Sequence, residues 1–517
     1  MAAPRAQRAR PLGLVVLAAA LATLAFPPAD QGWLAWFALA PLLLALRGPK
    51  RLGAALGLGY LFGVLHWGGT IPWIGTTVVD WSGTPLGWAA WVGLTAIEAG
   101  WFALAGALTW AIGRRSSGAA RALGIAAAWT LTEWLRAQGR LSMPWSLLGY
   151  TQYRWLPVIQ VADLCGVYGI SFLVVLTSAA LAEALCPAGP GRRGRLTAPL
   201  LAIALIAVSL GYGGWRLARP AVGEPLRVAL IQPDIRDRRG AIRDPVTDLA
   251  LFASLSTRAG RGADLVVWPE GIAPRDVFAD PRTRAGFAAI ARATGAYQLV
   301  GTGTYDTAGR AYNAACLFAP DGAIVGRYAK QWLVPFGEWM PARPLFERFE
   351  SVFHFGMEDT AHGGRQPPLR AGRARIGVLI CFESIFPEMA RRYAAEGANL
   401  LACITNDSWG GRSAAPAQHM AMTAFRAVET RRWTVVAATT GVTGIVAPSG
   451  ARREAPPFQV ATLAGTAGLL DARTPYVRLG DWLAAACAAL ATAALLLPRC
   501  PAPERPERRR RPEGGNA

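Results

Sequence analysis

The stretch RARIGVLICFESIFPEM, residues 373–389, decides how the second half of this chain is understood. Within it, Ile376–Ile380 is a short run of apolar, mostly branched residues, which predicts a buried β-strand. Cys381 would then lie where the strand meets its loop, and Glu383 follows two residues later. Buried cysteines are usually inert. A thiol beside a carboxylate at a strand end therefore calls for a chemical explanation.

Short branched runs alternate with helical stretches from residue 226 onward. The runs predicted as strands are 226–232, 264–270, 297–303, 313–320, 375–383, 399–407 and 434–440, and the stretches predicted as helices are 245–260, 281–294, 384–396 and 415–432. This alternation is typical of an α/β domain with a mostly buried sheet. Active groups in such sheets gather at the carboxyl ends of strands. Glu270, Cys381 and Asn406 each stand at a predicted strand end, so we expect them to converge on one rim.

Lysine is rare in this chain. Of 53 basic residues only Lys50 and Lys330 are lysines, and the rest are arginines. An ammonium is a compact charge that can approach a developing oxyanion closely, whereas the guanidinium is a broad planar fork. The lysine retained at position 330 is therefore a candidate for stabilising an oxyanion.

The motifs around these residues form a chemical set. Lys330 is followed by Glu338 after a Pro-Phe-Gly turn, Glu270 ends the sequence WPE, and Cys381 and Glu383 belong to CFE. A thiol nucleophile, a carboxylate that accepts its proton and a lysine for the oxyanion make an activated nucleophile without a histidine base. The backbone N–H of Phe382 would be a second oxyanion donor.

The first half of the chain is too apolar for an ordinary soluble protein. The whole sequence is 53% hydrophobic and 17% charged, and several apolar stretches approach the roughly 20 residues that cross a bilayer. We predict eight membrane helices, near 11–26, 32–46, 53–72, 86–111, 120–138, 167–186, 196–214 and 479–497. Two charged residues late in the fifth helix, Glu133 and Arg136, are expected to pair with each other.

Arginine and lysine cluster on one side of these helices. The clusters are Arg5, Arg8 and Arg10; Arg47, Lys50 and Arg51; Arg114, Arg115 and Arg121; Arg192, Arg193 and Arg195; and Arg499, Arg505 and Arg508–Arg511. The positive-inside rule then places both termini in the cytoplasm. The net charge of +20 is largely a topology signal, so nucleic-acid binding is disfavoured.

The eight predicted helices cross the membrane in alternating directions, and this predicts the domain organisation. A membrane domain with helices one to seven would cover residues 1–216, and an extracytoplasmic catalytic domain would cover 217–477. The eighth helix would span 478–498, and 499–517 would be a disordered basic cytoplasmic tail. A segment of mixed polarity between two motifs, 341–366, is predicted to be a mobile lid.

The cysteines do not have the close spacing of a metal site, so no metal or cofactor is expected. Within the outer segment stand Cys316, Cys381 and Cys403. Free thiols invite oxidation in an oxidising compartment, which suggests that one is kept for chemistry. Cys403 is predicted to be a buried strand residue. His419 is expected to be structural, because the chemical set needs no histidine.

These motifs resemble those of a known superfamily. Residues 226–450 resemble the nitrilase superfamily of carbon–nitrogen hydrolases, whose αββα sandwich carries a Glu-Lys-Cys triad, and the motifs WPE, K…LVPFGE, CFE and TNDSW occur in the family's order. The stretch 133–152 and the flanking helices are similar to the apolipoprotein N-acyltransferase family of the bacterial inner membrane. The resemblance implies a multi-pass helical membrane domain plus an α/β nitrilase-like sandwich with a periplasmic active site.

The resemblance also implies site roles and a reaction. Glu270 would be the general base, Lys330 the oxyanion stabiliser and Cys381 the nucleophile, with Glu338, Phe382 and Glu383 in support. An acyl chain would pass from a phospholipid, expected to be phosphatidylethanolamine, through a thioester to the α-amine of a diacylglyceryl apolipoprotein. Three tryptophans in or beside motif loops are candidates for the acyl entrance: Trp332, Trp339 and Trp409.

Two other classes of function are compatible with parts of the sequence. One is a membrane-tethered amidase or nitrilase that uses a small amide and then water. It would share the triad but differ in what acylates Cys381. The other is a transporter or receptor whose outer domain only binds, and the complete triad argues against it. Loss of all activity in Cys381→Ala, as opposed to altered ligand affinity, separates an enzyme from a binding protein.

Overall fold

The computed structural model describes residues 5–185, 196–235, 245–341, 343–346 and 359–498. Half of the predicted lid, at 342 and 347–358, lies outside the described residues, as does the predicted basic tail at 499–517. The described residues form two parts. The helical part contains the helices before residue 218 and after 474, and the sheet part contains the strands and the helices between them.

Apolar helices make up the helical part. They are α1 (Arg5–Leu24), α2 (Ala35–Ala38), α3 (Ala40–Ala45), α4 (Leu52–Thr70), α5 (Trp73–Ser82), α6 (Gly87–Gly113), α7 (Gly118–Arg136), α8 (Leu156–Ile159), α9 (Ala162–Cys165), α10 (Val167–Ala184) and α11 (Thr197–Leu217). The sheet part contains α12 (Pro245–Ala259), α13 (Pro281–Thr294), α14 (Arg343–Phe346), α15 (Pro387–Ala395) and α16 (Ala415–Thr430). The chain then returns to the helical part with α17 (Pro475–Leu479) and α18 (Trp482–Leu496).

Within the described residues, the helices α4, α6, α10 and α11 are long and apolar enough to cross a membrane. Shorter apolar helical segments cover Arg10–Leu24, Gly32–Ala45, Leu156–Cys165 and Trp482–Leu496. The predicted helix at 32–46 is broken between α2 and α3, where Pro41 lacks the N–H that a continuous helix requires. The helix predicted at 120–138 is present as α7, and it carries charged residues on a largely buried surface.

The charged residues of α7 do not pair as predicted. Arg136 Nη1 lies 3.7 Å from Glu98 Oε2 of α6. Glu133 instead accepts a hydrogen bond from the backbone N–H of Leu148 at 3.0 Å, while Arg136 donates to the carbonyl of Trp145 at 3.0 Å. A buried charge needs a partner, and the loop after α7 supplies partners that spacing along one helix does not reveal.

The sheet part consists of two sheets. Their strands are β1 (Glu224–Gln232), β2 (Leu265–Val267), β3 (Tyr297–Tyr305), β4 (Ala311–Phe318), β5 (Ile324–Ala329), β6 (Leu369–Ala371), β7 (Ala374–Ile380), β8 (Leu400–Thr405), β9 (Thr434–Ala438), β10 (Gly444–Val446), β11 (Arg452–Glu454) and β12 (Ala461–Leu469). One sheet has the order β12-β1-β2-β3-β4-β5, and the other has the order β11-β10-β9-β8-β7-β6.

The parallel strands at the centre of each sheet are the ones that hydrophobic runs predicted. β1, β2 and β3 pair in parallel in the first sheet, and β7, β8 and β9 do so in the second. Antiparallel strands flank them. In the second sheet Ile380 is in register with Ile404. The segments that follow β7 and β8 therefore leave the sheet side by side, which brings Cys381 near Asn406.

One glutamine side chain joins the two parts. Gln418 on α16 is buried, and its Oε1 accepts from the indole N–H groups of Trp145 at 2.7 Å and Trp73 at 3.1 Å. Its Nε2 donates to the carbonyls of Pro27 at 2.8 Å and Thr70 at 3.0 Å. Every one of these partners belongs to the helical part. A fully bonded amide at this depth fixes α16 against it, because an unpaired buried polar group is costly.

A close approach of backbones fixes α11 against α8. A Cβ atom placed on Gly213 would lie 1.8 Å from the carbonyl oxygen of Pro157, whereas a Cβ on Gly211 would meet nothing within 4 Å. We expect Gly213→Ala to destabilise the protein by about 1–3 kcal/mol, as overpacking does. The matched variant Gly211→Ala should unfold at the parent temperature or slightly above it. Thermal unfolding in detergent measures both, and equal midpoints would contradict this packing.

Candidate active site

Cys381 lies at the junction that the sequence predicts, after the last residue of β7. It begins a short 3₁₀ turn, Cys381–Ile385, and its φ is +50°. A positive φ is strained for a residue other than glycine and marks sites that the surrounding structure holds in place. The strand itself ends at Ile380, so Phe382 and Glu383 belong to the turn and not to the strand.

The thiol of Cys381 is neutral at rest. Its side chain is buried, and burial raises the pKa of the thiol well above its ordinary value. The negative charge of Glu270 raises this pKa further, while the positive charge of Lys330 lowers it. A thiolate is a far better nucleophile than a thiol, so a reaction at this sulfur would require a base to remove its proton.

Two carboxylates, an ammonium and an amide form the centre of the site. Lys330 Nζ donates to Glu338 Oε1 at 2.9 Å and to Glu270 Oε1 at 3.2 Å. Asn313 Nδ2 donates to the same two oxygens, at 2.6 Å to Glu270 and 2.9 Å to Glu338. The other oxygen of Glu270 accepts the backbone N–H of Asn406 at 2.8 Å. Groups from both sheets therefore converge on Glu270.

The charge of Lys330 is kept by its neighbours. The side chain is almost completely buried, and burial alone would disfavour the ammonium. The carboxylates of Glu270 and Glu338 outweigh this effect and hold the pKa of Lys330 well above its ordinary value. The site therefore contains a fixed positive charge, which can stabilise a negative oxygen without any rearrangement.

Glu383 links the cysteine turn to the lysine segment. Its carboxylate accepts backbone N–H groups from Ile380 at 2.7 Å and Gln331 at 2.6 Å, and the hydroxyl of Tyr328 at 2.8 Å. Burial raises the pKa of Glu383 to about 7, while these donors favour its charged form. Glu383 thus holds the residues on either side of Lys330 against the end of β7.

The predicted entrance tryptophans occupy different surroundings. Trp332 stacks on Phe386 at 4.6 Å between ring centroids, and Phe386 in turn meets Phe382 edge to face. Trp409 packs against Trp73 of the helical part at 5.1 Å. Trp339 lies beside the ring of a histidine in the loop at 362. Their role at an entrance stays a prediction.

Sequence reasoning missed two groups of residues at this site. Asn313 lies in β4, where it looked like an ordinary strand residue, and its amide reaches the carboxylates because β4 pairs with β3 and β5. The other group is Ser384 and Asp407, which are buried behind the cysteine turn and contact His419, the histidine that was expected to be structural. Asp407 belongs to the motif TNDSW, and this was the available signal for it.

Glycine in β3 makes room for the segment that carries Glu270. A Cβ atom on Gly301 would lie 2.3 Å from the carbonyl oxygen of Pro269 and 2.6 Å from Cα of Glu270, whereas a Cβ on Gly303 would meet nothing within 4 Å. We expect Gly301→Ala to displace Glu270 and lower the turnover of the enzyme at least about tenfold, because small misplacements of reacting groups are costly.

The control for this prediction is Gly303→Ala on the same strand, which should keep parental turnover. Thermal unfolding of both variants separates a local displacement from a general loss of stability. Equal turnover of the two variants would contradict the role assigned to Gly301.

Comparison with known proteins gives the family. Residues 18–180 match the Apolipoprotein N-acyltransferase N-terminal domain, and residues 227–460 match the Carbon-nitrogen hydrolase family. The chain is 38% identical to the apolipoprotein N-acyltransferase of Geobacter metallireducens over 92% of its length and 93% of that relative. It is 34% identical to the protein of the same name from Methylococcus capsulatus, covering 86% and 88% of the two chains.

A third relative, from Azotobacter vinelandii, is 34% identical over 94% of this chain and 95% of its own length. The similarity therefore extends through the helical part and through the sheet part with its candidate site. Because the relatives match along nearly their whole lengths, the chain belongs to the apolipoprotein N-acyltransferase family.

Proposed function

We propose that this protein transfers a fatty acyl chain from a phospholipid, through a thioester on Cys381, to the α-amine of the N-terminal diacylglyceryl-cysteine of apolipoproteins. This step would complete lipoprotein maturation. The observation that carries the proposal is the full-length relation to apolipoprotein N-acyltransferases. It is supported by the buried thiol of Cys381, whose pKa is affected by both the Glu270 carboxylate and the Lys330 ammonium.

In the first half-reaction, Glu270 takes the proton from the Cys381 sulfur and the thiolate attacks the ester carbonyl of the phospholipid. Lys330 and the Phe382 N–H stabilise the resulting oxyanion. The carbon–oxygen ester bond then breaks, and Glu270 returns the proton to the leaving alkoxide, which departs as lysophospholipid. Glu338 and Glu383 hold Lys330 and its segment in position. The enzyme is left with an S-acyl cysteine.

In the second half-reaction, the neutral α-amine of the apolipoprotein attacks the thioester carbonyl. The same two donors stabilise the oxyanion. The carbon–sulfur bond breaks as the amide forms, and the amine loses one proton, by way of Glu270, to the departing thiolate. The two substrates never need to be bound together, so the kinetics are ping-pong. The donor we propose is phosphatidylethanolamine, at its sn-1 position.

We propose that residues 1–216 and 478–498 are the membrane domain and that 217–477 form the catalytic domain on the periplasmic face of the inner membrane. Both termini and the tail at 499–517 would be cytoplasmic. The arginine clusters support this orientation through the positive-inside rule. The apolar helices that flank the sheet part, α11 and α18, support the boundaries.

The decisive test is mass spectrometry of the protein purified from membranes. We expect a fatty acyl adduct on the peptide that contains Cys381, labile to hydroxylamine, absent from Cys381→Ala and lost on addition of a diacylglyceryl peptide. A bare thiol after incubation with phospholipid would contradict the proposal. If small amides then gave an adduct, a membrane-tethered amidase would replace it.

The proposed role of Lys330 is tested by a change of shape at constant charge. Lys330→Arg places a broad guanidinium where a compact ammonium contacts two carboxylates. We expect the rate of thioester formation in a single turnover to fall about 100-fold or more, as it does when an oxyanion donor is lost. Arg327→Lys, at an exposed position three residues earlier, is the matched control. An active Lys330→Arg would argue against the role.

A further inference from the structure

Three buried polar side chains behind Cys381 have no part in the chemistry described so far. His419 Nε2 lies 2.7 Å from Ser384 Oγ and 3.2 Å from the carbonyl oxygen of Cys381. His419 Nδ1 lies 3.1 Å from Asp407 Oδ1. The Ser384 hydroxyl also donates to the Cys381 carbonyl, at 2.9 Å. Two side chains therefore converge on the carbonyl of one residue, the proposed nucleophile.

The spacing is that of a Ser-His-Asp triad, but it does not serve attack by the serine. Ser384 has no exposed surface, so a substrate cannot reach its oxygen. Its hydroxyl is directed at a backbone carbonyl, and a second hydroxyl, from Thr423, lies 3.0 Å away. In a working triad the serine oxygen faces the substrate. The Ser384, His419 and Asp407 side chains therefore have a role other than attack by the serine.

The Cys381 carbonyl and the Phe382 N–H belong to the same peptide group. A trans peptide is planar, so its C=O and N–H point in opposite directions. Donors that hold the carbonyl on one side therefore set the direction of the N–H on the other. This peptide follows a residue with φ of +50°, a strained conformation that needs such support. A hydrogen-bonded carbonyl also makes the N–H of its own amide a stronger donor.

Asp407 and His419 are themselves fixed. Asp407 Oδ1 accepts the hydroxyl of Thr405 at 2.8 Å, and its carboxylate is so close to Gly441 that a Cβ there would lie 2.4 Å from Oδ2. The ring of His419 stacks on Trp145 of the helical part, with centroids 6.2 Å apart. The imidazole is thus held on its edge by a carboxylate and on its face by an indole.

We propose that His419 and Ser384 are positioning residues that orient and polarise the Cys381–Phe382 peptide, so that the Phe382 N–H is directed at the oxyanion. Asp407 holds the histidine for this task. The inference rests on the proposed function, because it assumes that Cys381 is the nucleophile and that an oxyanion forms beside it. Neither residue touches substrate, and both act through the peptide group.

Two reactions of the same thiol test this. Acyl transfer from phosphatidylethanolamine passes through an oxyanion, whereas alkylation by iodoacetamide displaces iodide and forms none. We expect His419→Ala and Ser384→Ala to lower kcat for acyl transfer about 10- to 100-fold, with KM for the phospholipid unchanged. The rate of Cys381 alkylation should stay within about twofold of the parent. His419→Gln, whose amide N–H can donate to the carbonyl, should recover part of the acyl transfer.

Thr430→Val on the same helix is the control, because its hydroxyl donates to Arg426 O within α16, and it should behave as the parent in both reactions. A parallel fall of acyl transfer and alkylation would overturn the inference, since it would mean that the residues act on the thiol or on the fold. Unchanged acyl transfer would also overturn it. Should His419→Ala not fold, Ser384→Ala and His419→Gln carry the same test.

The Cys381→Ala variant separates this inference from the proposed function. If Cys381→Ala is inactive and the His419 and Ser384 variants transfer acyl chains at the parental rate, the nucleophile role of Cys381 is supported and the positioning role is contradicted. If Cys381→Ala still transfers acyl chains, the proposed function fails and the positioning role falls with it.

Discussion

The buried ammonium of Lys330, shared between Glu270 and Glu338, is the interaction on which the rest of the site depends. Removing a charge from water costs several kcal/mol unless partners replace the water. Here Asn313 donates to the same two oxygens as the ammonium does, Glu270 Oε1 and Glu338 Oε1, so each of these two oxygens has two donors. Loss of Lys330 would leave two carboxylates facing each other with no positive charge between them. The proposed base and the proposed oxyanion stabiliser therefore cannot be positioned independently of one another.

The chemistry follows from how this cluster meets the thiol. A buried thiol with a raised pKa is unreactive by itself, which protects it against adventitious oxidation. In the proposed reaction it becomes a nucleophile when a carboxylate takes its proton beside a fixed positive charge. The strained turn at Cys381 and the links from Glu383 bring the sulfur to that charge. The resting site thus holds a protonated thiol close to a fixed positive charge.

The helical part contacts the helix α16, which lies behind the site. Gln418 bonds to segments of the helical part around residues 27, 70, 73 and 145. A second buried contact joins Arg431 at the end of α16 to Asp163 of α9 at 2.7 Å. The next residue after Gln418 is His419, which lies against the Cys381 carbonyl. The geometry behind Cys381 is therefore set in part by residues of the helical part.

The sequence by itself determined the α/β character of the sheet part, the central strands and the placing of Glu270 and Cys381 at strand ends, and it singled out Lys330. Hydrophobic runs and strand ends are local patterns, and the rare lysine stands out in composition. Of the flanking antiparallel strands, β4 was predicted from the run 313–320. β6, β10 and β11 were missed because they are only three residues long and carry little pattern. The longer edge strands β5 and β12 were missed as well.

Only the tertiary structure decided which polar groups meet. Asn313 reaches Glu270 across 43 residues of sequence, Glu98 replaces Glu133 as the partner of Arg136, and His419 turns its ring toward Cys381. Buried polar groups take whichever partner the fold brings within reach of a hydrogen bond or an ion pair, because leaving one unpaired costs more than any local preference gains. That choice depends on strand register and helix packing, which are set by the whole core and not by neighbours in the chain.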